Sequence, residues 1–281
     1  MKQKPWARAL SLAFAAIALT ALMAAWLFPY QRVAYLLSAH ASVWTGFELQ
    51  IGELGPTLSW AGPGLEARNV RATLPGGDSL VLPSLFVRPA WTPRWLIGDS
   101  RLAIAVDGGA LGRFDGQVGL GSGGSLSGRL DEVRVDLVPL DQLVPGLSMK
   151  GLLSGQVELA VDEEGEPVGR LEVEFSDGSL LAPGLPLPLP YERLSSDIEL
   201  GGETRATIHA LAIAGPMLSA TLEGTVGRAA LRGAEPLNLD MQIQRVGRAL
   251  QPLLSSLGIE LSPAGPTHLE IIGSLARPTF R

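Results

Sequence analysis

Three features of this 281-residue chain have spacings that chemistry uses. Gly119, Gly121 and Gly124 match G-x-G-x-x-G. That loop holds a dinucleotide pyrophosphate when a strand precedes it and a helix N-terminus follows it. Here Leu126, Gly128 and Leu130 follow, a further β-type stretch, so the glycines read as a hairpin loop. Asp162, Glu163, Glu164 and Glu166 form the densest acidic run. It lies between two alternating stretches and lacks the ligand spacing of a calcium loop, so it reads as a solvated hairpin tip. His40, His209 and His268 have the imidazoles that bind metals and move protons. Their positions fall in three different expected elements, and His40 reads as a half-buried helix residue. There is no cysteine, which removes disulfides, thiolate zinc sites, iron–sulfur clusters and thiol nucleophiles together. No G-x-x-x-x-G-K-[ST], G-x-S-x-G or H-E-x-x-H pattern occurs. These residues point to no catalytic, cofactor-binding or metal site, and the expectation is a protein that is not an enzyme.

The elements carrying these residues are read from composition and period. Glycine and proline supply 34 and 21 positions, about a fifth of the chain, against roughly 12% in globular proteins. Such punctuation breaks long helices. Apolar residues make up 46% and charged residues 18%, enough to build a core. The net charge of −6 argues against nucleic acid as a partner.

The start of the chain carries a strong physical signal. From Ala9 to Phe28 there is no charge, and a bilayer core of about 30 Å needs roughly 20 such residues in a helix. The membrane-spanning candidates are Ala9, Leu10, Leu12, Phe14, Ile17, Leu19, Leu22, Trp26, Leu27 and Phe28. Lys2, Lys4 and Arg8 precede them and favour a cytoplasmic N-terminus. Those three cations leave 19 for the rest of the chain against all 28 acids, a net of −9, so the exported body is acidic. A cleaved signal peptide is the competing reading, but its apolar stretch is usually about 7–15 residues. Trp26 and Tyr30 suit the interfacial belt of a retained helix.

Beyond the anchor, Val33, Leu36, Leu37, His40 and Trp44 share one helical face, and Gly46 stops it. From Phe47 the period falls to 2. Apolar residues alternate with polar ones at Leu102, Ile104 and Val106; at Val133, Val135 and Leu137; and at Val157, Leu159 and Val161. The same holds at Leu171, Val173 and Phe175, at Ala220, Leu222 and Val226, and at Leu237, Leu239, Met241 and Ile243. Weaker strands are expected over 48–54, 65–74, 79–87, 197–200, 205–213 and 267–272. Alternation is what a sheet with one buried and one wet face requires. Short helices are expected over 139–144 and 248–257, the second with Leu250, Leu253, Leu254 and Leu257 on one face. Pro183, Pro186, Pro188 and Pro190 mark extended chain, either a linker or an edge strand.

The expected fold is therefore mainly β: an N-terminal transmembrane helix, then an elongated, curved, mostly antiparallel sheet with two or three short helices. The divisions are 1–30 for the anchor, 31–46 for a juxtamembrane helix, and 47–146 and 147–281 for two β halves. The alternating residues from Leu102 to Ile243 form either an open apolar groove or a filled core face.

The order of features resembles the type II secretion system protein N (GspN) family. The motifs are Trp44-Thr45-Gly46-Phe47-Glu48-Leu49-Gln50-Ile51-Gly52-Glu53-Leu54, then Leu147-Ser148-Met149-Lys150-Gly151-Leu152-Leu153-Ser154-Gly155. The Pro-Gly-Leu-Pro-Leu-Pro core within Leu180 to Pro190 and the ending Gly273-Ser274-Leu275-Ala276-Arg277-Pro278 complete the series. The first and last motifs are also similar to the wider AsmA-like group of inner-membrane-anchored periplasmic β proteins. The resemblance implies an inner-membrane setting, a periplasmic body and other type II secretion components as partners. Its AsmA-like side implies lipid as a further partner. It brings no catalytic residues.

Overall fold

A computed structural model of the chain describes residues 19, 20, 23, 27–35, 38, 48–59, 62–73, 79–90, 100–119, 124–137, 148–162, 164–181, 187–229, 234–256, 265–274 and 277–281. The protein is mainly β and antiparallel, and it divides into two compact units at Ser84/Leu85. The first unit contains the hairpin β1 (Glu48–Ser59) and β2 (Gly62–Thr73), in register from Glu48↔Thr73 to Ser59↔Gly62. Ala67 and Val70 are its buried strand residues. β3 (Ser79–Pro89) contains the boundary between the units.

The second unit is a meander in which each strand pairs with the next. Its strands are β4 (Arg101–Asp107), β5 (Arg113–Gly119), β6 (Ser125–Arg134), β7 (Ser148–Val161) and β8 (Pro167–Leu181). They continue through β9 (Leu189–Leu200), β10 (Ala206–Ala214), β11 (Leu218–Val226), β12 (Pro236–Val246), β13 (Thr267–Ser274) and β14 (Arg277–Phe280). All neighbouring pairs from β4 to β14 are antiparallel. Short Gly-rich connections favour this arrangement, because antiparallel neighbours need only a tight turn.

Two apolar clusters form the core of this unit. Tyr191, Leu194, Ile213, Ala220, Ile243 and Leu269 make one, with Phe175, Met241 and Leu254 packed against it. Leu237, Leu239 and Ile271 make the other. Leu254 belongs to a short helix, Gln251–Ser256, which arises where the period returns to 3.6; Leu250, just before it, is buried.

The strand readings over 101–107, 157–161, 171–175, 220–226 and 237–243 lie within β4, β7, β8, β11 and β12. Two positions, Val135 and Leu137, depart from their expected place. β6 ends at Arg134, and Val135–Leu137 is a 3-10 turn. Glu132 adopts a left-handed φ of 49° at a bulge between Leu130 and Val133, which breaks the alternation there. Val135 is consequently buried in the turn at 4% exposure, while Leu137 is 41% exposed and leaves the core face. Val161, the last residue of β7, pairs with Pro167 beside the hairpin tip and is 45% exposed.

Among the described residues no helix is long and apolar enough to cross a membrane. Of the spanning candidates, Leu19 and Leu27 are described as helical and Phe28 as a bend. Ala9, Leu10, Leu12, Phe14, Ile17, Leu22 and Trp26 lie outside the described residues, as do Leu36, Leu37, His40 and Trp44 of the following segment and the expected helix over 139–144. Residues 30–35 are helical. The β6–β7 pairing crosses the expected division at 146/147. Pro190 lies in β9, an interior strand, where it stands opposite Ser179 of β8.

Candidate functional site

Antiparallel pairing places residues with matched parity on one face, so the register shows which side chains stand side by side. One file runs across ten strands: Val106, Phe114, Leu130, Gly155, Val173, Ser196, Leu211, Leu222, Met241 and Leu269. A second runs Ile104, Gly116, Gly128, Val157, Leu171, Ile198, Ile208, Gly224, Leu239 and Ile271. On one side of these lies the file Leu102, Val118, Leu126, Leu159, Gly169, Leu200, Ala206, Val226, Leu237 and Gly273. On the other lies Val133, Leu153, Phe175, Leu194, Ile213, Ala220, Ile243 and Thr267.

These four files make one apolar face. Of the sixteen residues expected on it, Val135 and Leu137 fall outside, and Val161 stands at its exposed end, next to Leu159 on the same face of β7. Val157, Leu237, Leu239 and Ile243 are buried, and the others are half-buried. The burial is uneven along the sheet. From β9 to β13 the face closes into the two core clusters, whereas from β4 to β8 Val157 is its one buried member. Sequence reasoning missed Phe114 and Leu194, because glycine or serine interrupts the apolar alternation in β5 and β9; Leu130, Ile198, Leu211 and Leu269 lay in expected β stretches but were not placed on the face. Phe114 lies across the second file: a Cβ on Gly116 or Gly128 would stand within 2.6 Å of its ring. The missing side chains make the seat for that ring.

The opposite face is charged. Arg170 makes a bidentate contact with Asp197 on the next strand, at 3.0 and 2.8 Å, and its Nε lies 2.9 Å from Glu172. The side-chain hydrogen bond from Arg170 holds the Asp197 carboxyl below the usual aspartate range. His209 contacts Glu199 at 3.0 Å on the same face. Glu223, Asp240 and Glu270 stand directly opposite one another on β11, β12 and β13, and with His209 they line a shallow trough. His268 is exposed on β13, and His40 lies outside the described residues. No group of three metal-ligating side chains comes together among the described residues.

The acidic run forms the β7–β8 turn. Asp162 Oδ1 accepts the backbone N–H groups of Glu164 and Glu166, each at 2.9 Å; Glu163 lies outside the described residues. Gly119 ends β5 and Gly124 precedes β6, so the glycine triplet spans a strand-to-strand connection with no helix N-terminus after it.

Fold and surfaces together define the second unit as an antiparallel β-sheet with one apolar and one charged face. Compared with protein-family models, curated proteins and solved structures, the chain finds no match.

Proposed function

We propose that this protein is a non-enzymatic component of a type II protein secretion system, with an accessory or assembly role. In this reading residues 9–28 hold it in the inner membrane with the N-terminus in the cytoplasm. The body lies in the periplasm as an elongated, curved sheet, and its partners are the other secretion components. The observation that carries the reading is the order of motifs from Trp44 to Pro278, which resembles that of the GspN family over nearly the whole chain. The mainly β, antiparallel second unit agrees with a periplasmic β protein of that kind. Leu19, Met23 and Leu27, spaced four apart and all exposed, present the apolar stripe that a lipid-facing helix needs. Deleting the gene tests the proposal: secreted substrates of the machine should accumulate in the periplasm, and unchanged secretion would remove its basis.

The half-buried apolar face from β4 to β8 favours a second, AsmA-like reading, in which the sheet holds a lipid or another amphiphile. Mass spectrometry of the purified protein should then find co-purifying lipid. Val173→Asp puts a charge in the middle of the face and should abolish that lipid while the β-sheet circular dichroism is retained. A lipid-free wild-type protein would count against this reading.

A further inference from the structure

Ser196 is the one polar side chain within the interior of the apolar face; Thr267, the other polar member of the four files, stands at the end of its file. Its cross-strand neighbours are Val173 and Leu211, and Leu194 and Ile198 flank it on the same face of β9. It is 9% exposed, and its hydroxyl has no hydrogen-bond partner among the described residues. A buried hydroxyl without a partner is costly and uncommon, so each case calls for a physical reason. Burial is uneven around it: Leu194 is buried, while Val173, Leu211 and Ile198 remain half-buried and able to accept a further apolar surface.

We infer that Ser196 donates its hydroxyl hydrogen bond to the carbonyl oxygen of an acyl chain lying on this face, so that the face takes esterified or amidated chains in preference to free fatty acids. This rests on the amphiphile reading above. The choice of ligand class follows from charge. No lysine, arginine or histidine stands in the four files, so a carboxylate brought to Ser196 would be desolvated without a counter-charge. An ester or amide carbonyl is neutral and needs one donor, which is what the site offers. A pure hydrocarbon would leave the hydroxyl unpaired.

The test uses the full chain in a fluorinated surfactant, which does not mix with hydrocarbon. The probes are monopalmitoylglycerol carrying a 13C-labelled carbonyl, palmitate and hexadecane. Wild type should bind the ester most tightly, with its carbonyl stretch lowered by hydrogen bonding. Ser196→Ala should weaken ester binding by about three- to tenfold, the effect of one neutral hydrogen bond, and return the stretch to its unbonded frequency. Ser196→Thr, which keeps the hydroxyl, should restore the lowered frequency. Equal ester binding by wild type and Ser196→Ala, with an unshifted carbonyl band in both, would overturn the role of Ser196 and leave the amphiphile reading standing. Binding of none of the probes by folded wild-type protein would overturn both.

Discussion

Tyr191 of β9 illustrates how single residues shape this sheet. Its ring is buried, and its hydroxyl donates to the Lys150 carbonyl of β7, reaching across β8. Two glycines make room: a Cβ on Gly178 would stand 1.9 Å from the Lys150 carbonyl oxygen, and one on Gly151 would stand 2.8 Å from the tyrosine hydroxyl. Burial also pushes the phenol above its ordinary pKa, which extends to higher pH the range over which it donates. Tyr191→Phe removes the hydroxyl alone and leaves that carbonyl short of one donor, so we expect a loss of about 1 kcal/mol in denaturant unfolding. Gly178→Ala should cost about 2–3 kcal/mol, because backbone must move to admit the methyl.

Arg170 acts on the charged face. Its hydrogen bonds lower the folded-state pKa of Asp197, so the stabilisation is fully present above the ordinary aspartate value and is lost as pH falls through the lowered one. Arg170→Ala should therefore be less stable than wild type near neutral pH. The two unfolding curves should converge on acidification below about pH 4. A gap that persists at pH 2 would assign the effect to packing of the arginine stem.

At the scale of elements, the bulges repeat. β6, β8, β10 and β12 each carry an extra residue relative to a neighbour, at Leu130/Val133, opposite Lys150/Leu152, at Ile208/Leu211 and opposite Ser219/Ala220. Alternate strands of a meander run in the same direction, so these bulges increase the twist of like-directed strands. Asp177, at the β8 bulge, has φ 50°, a conformation that aspartate tolerates and β-branched residues resist. Asp177→Val should lower stability by about 1–2 kcal/mol, whereas Asp177→Gly should be neutral or stabilising. Comparing their unfolding midpoints checks whether backbone strain decides this position.

Strands with clean alternation were legible from sequence: Leu171, Val173 and Phe175 lie on one face of β8, and Leu237, Leu239 and Met241 on one face of β12. The bulges were not, since an extra residue shifts parity without changing composition. For that reason Val135 and Leu137 read as a continuing strand when the chain had already turned. β5 stayed hidden because Gly116 separates Phe114 from Val118, leaving two apolar residues where a pattern needs three. Of the candidate site, the apolar residues themselves were visible. Ser196 was not, because a serine in a strand signals nothing until the register shows what surrounds it.

For the molecule as a whole, the proposed function needs an acidic β body held outside the cytoplasm and working by contact. Its two surfaces suit different neighbours, hydrocarbon on one side and water or cationic groups on the other. Both proposed readings place the chain across the inner membrane with its body in the periplasm. The absence of cysteine makes that topology directly measurable, because a single introduced thiol is the only one present. Glu203→Cys places it on the exposed β9–β10 turn, and Lys4→Cys places it before the apolar stretch. In cells with a permeabilised outer membrane and an intact inner membrane, an impermeant maleimide should label Glu203→Cys at once. Lys4→Cys should react only after lysis. Labelling of Glu203→Cys that also waits for lysis would contradict the account.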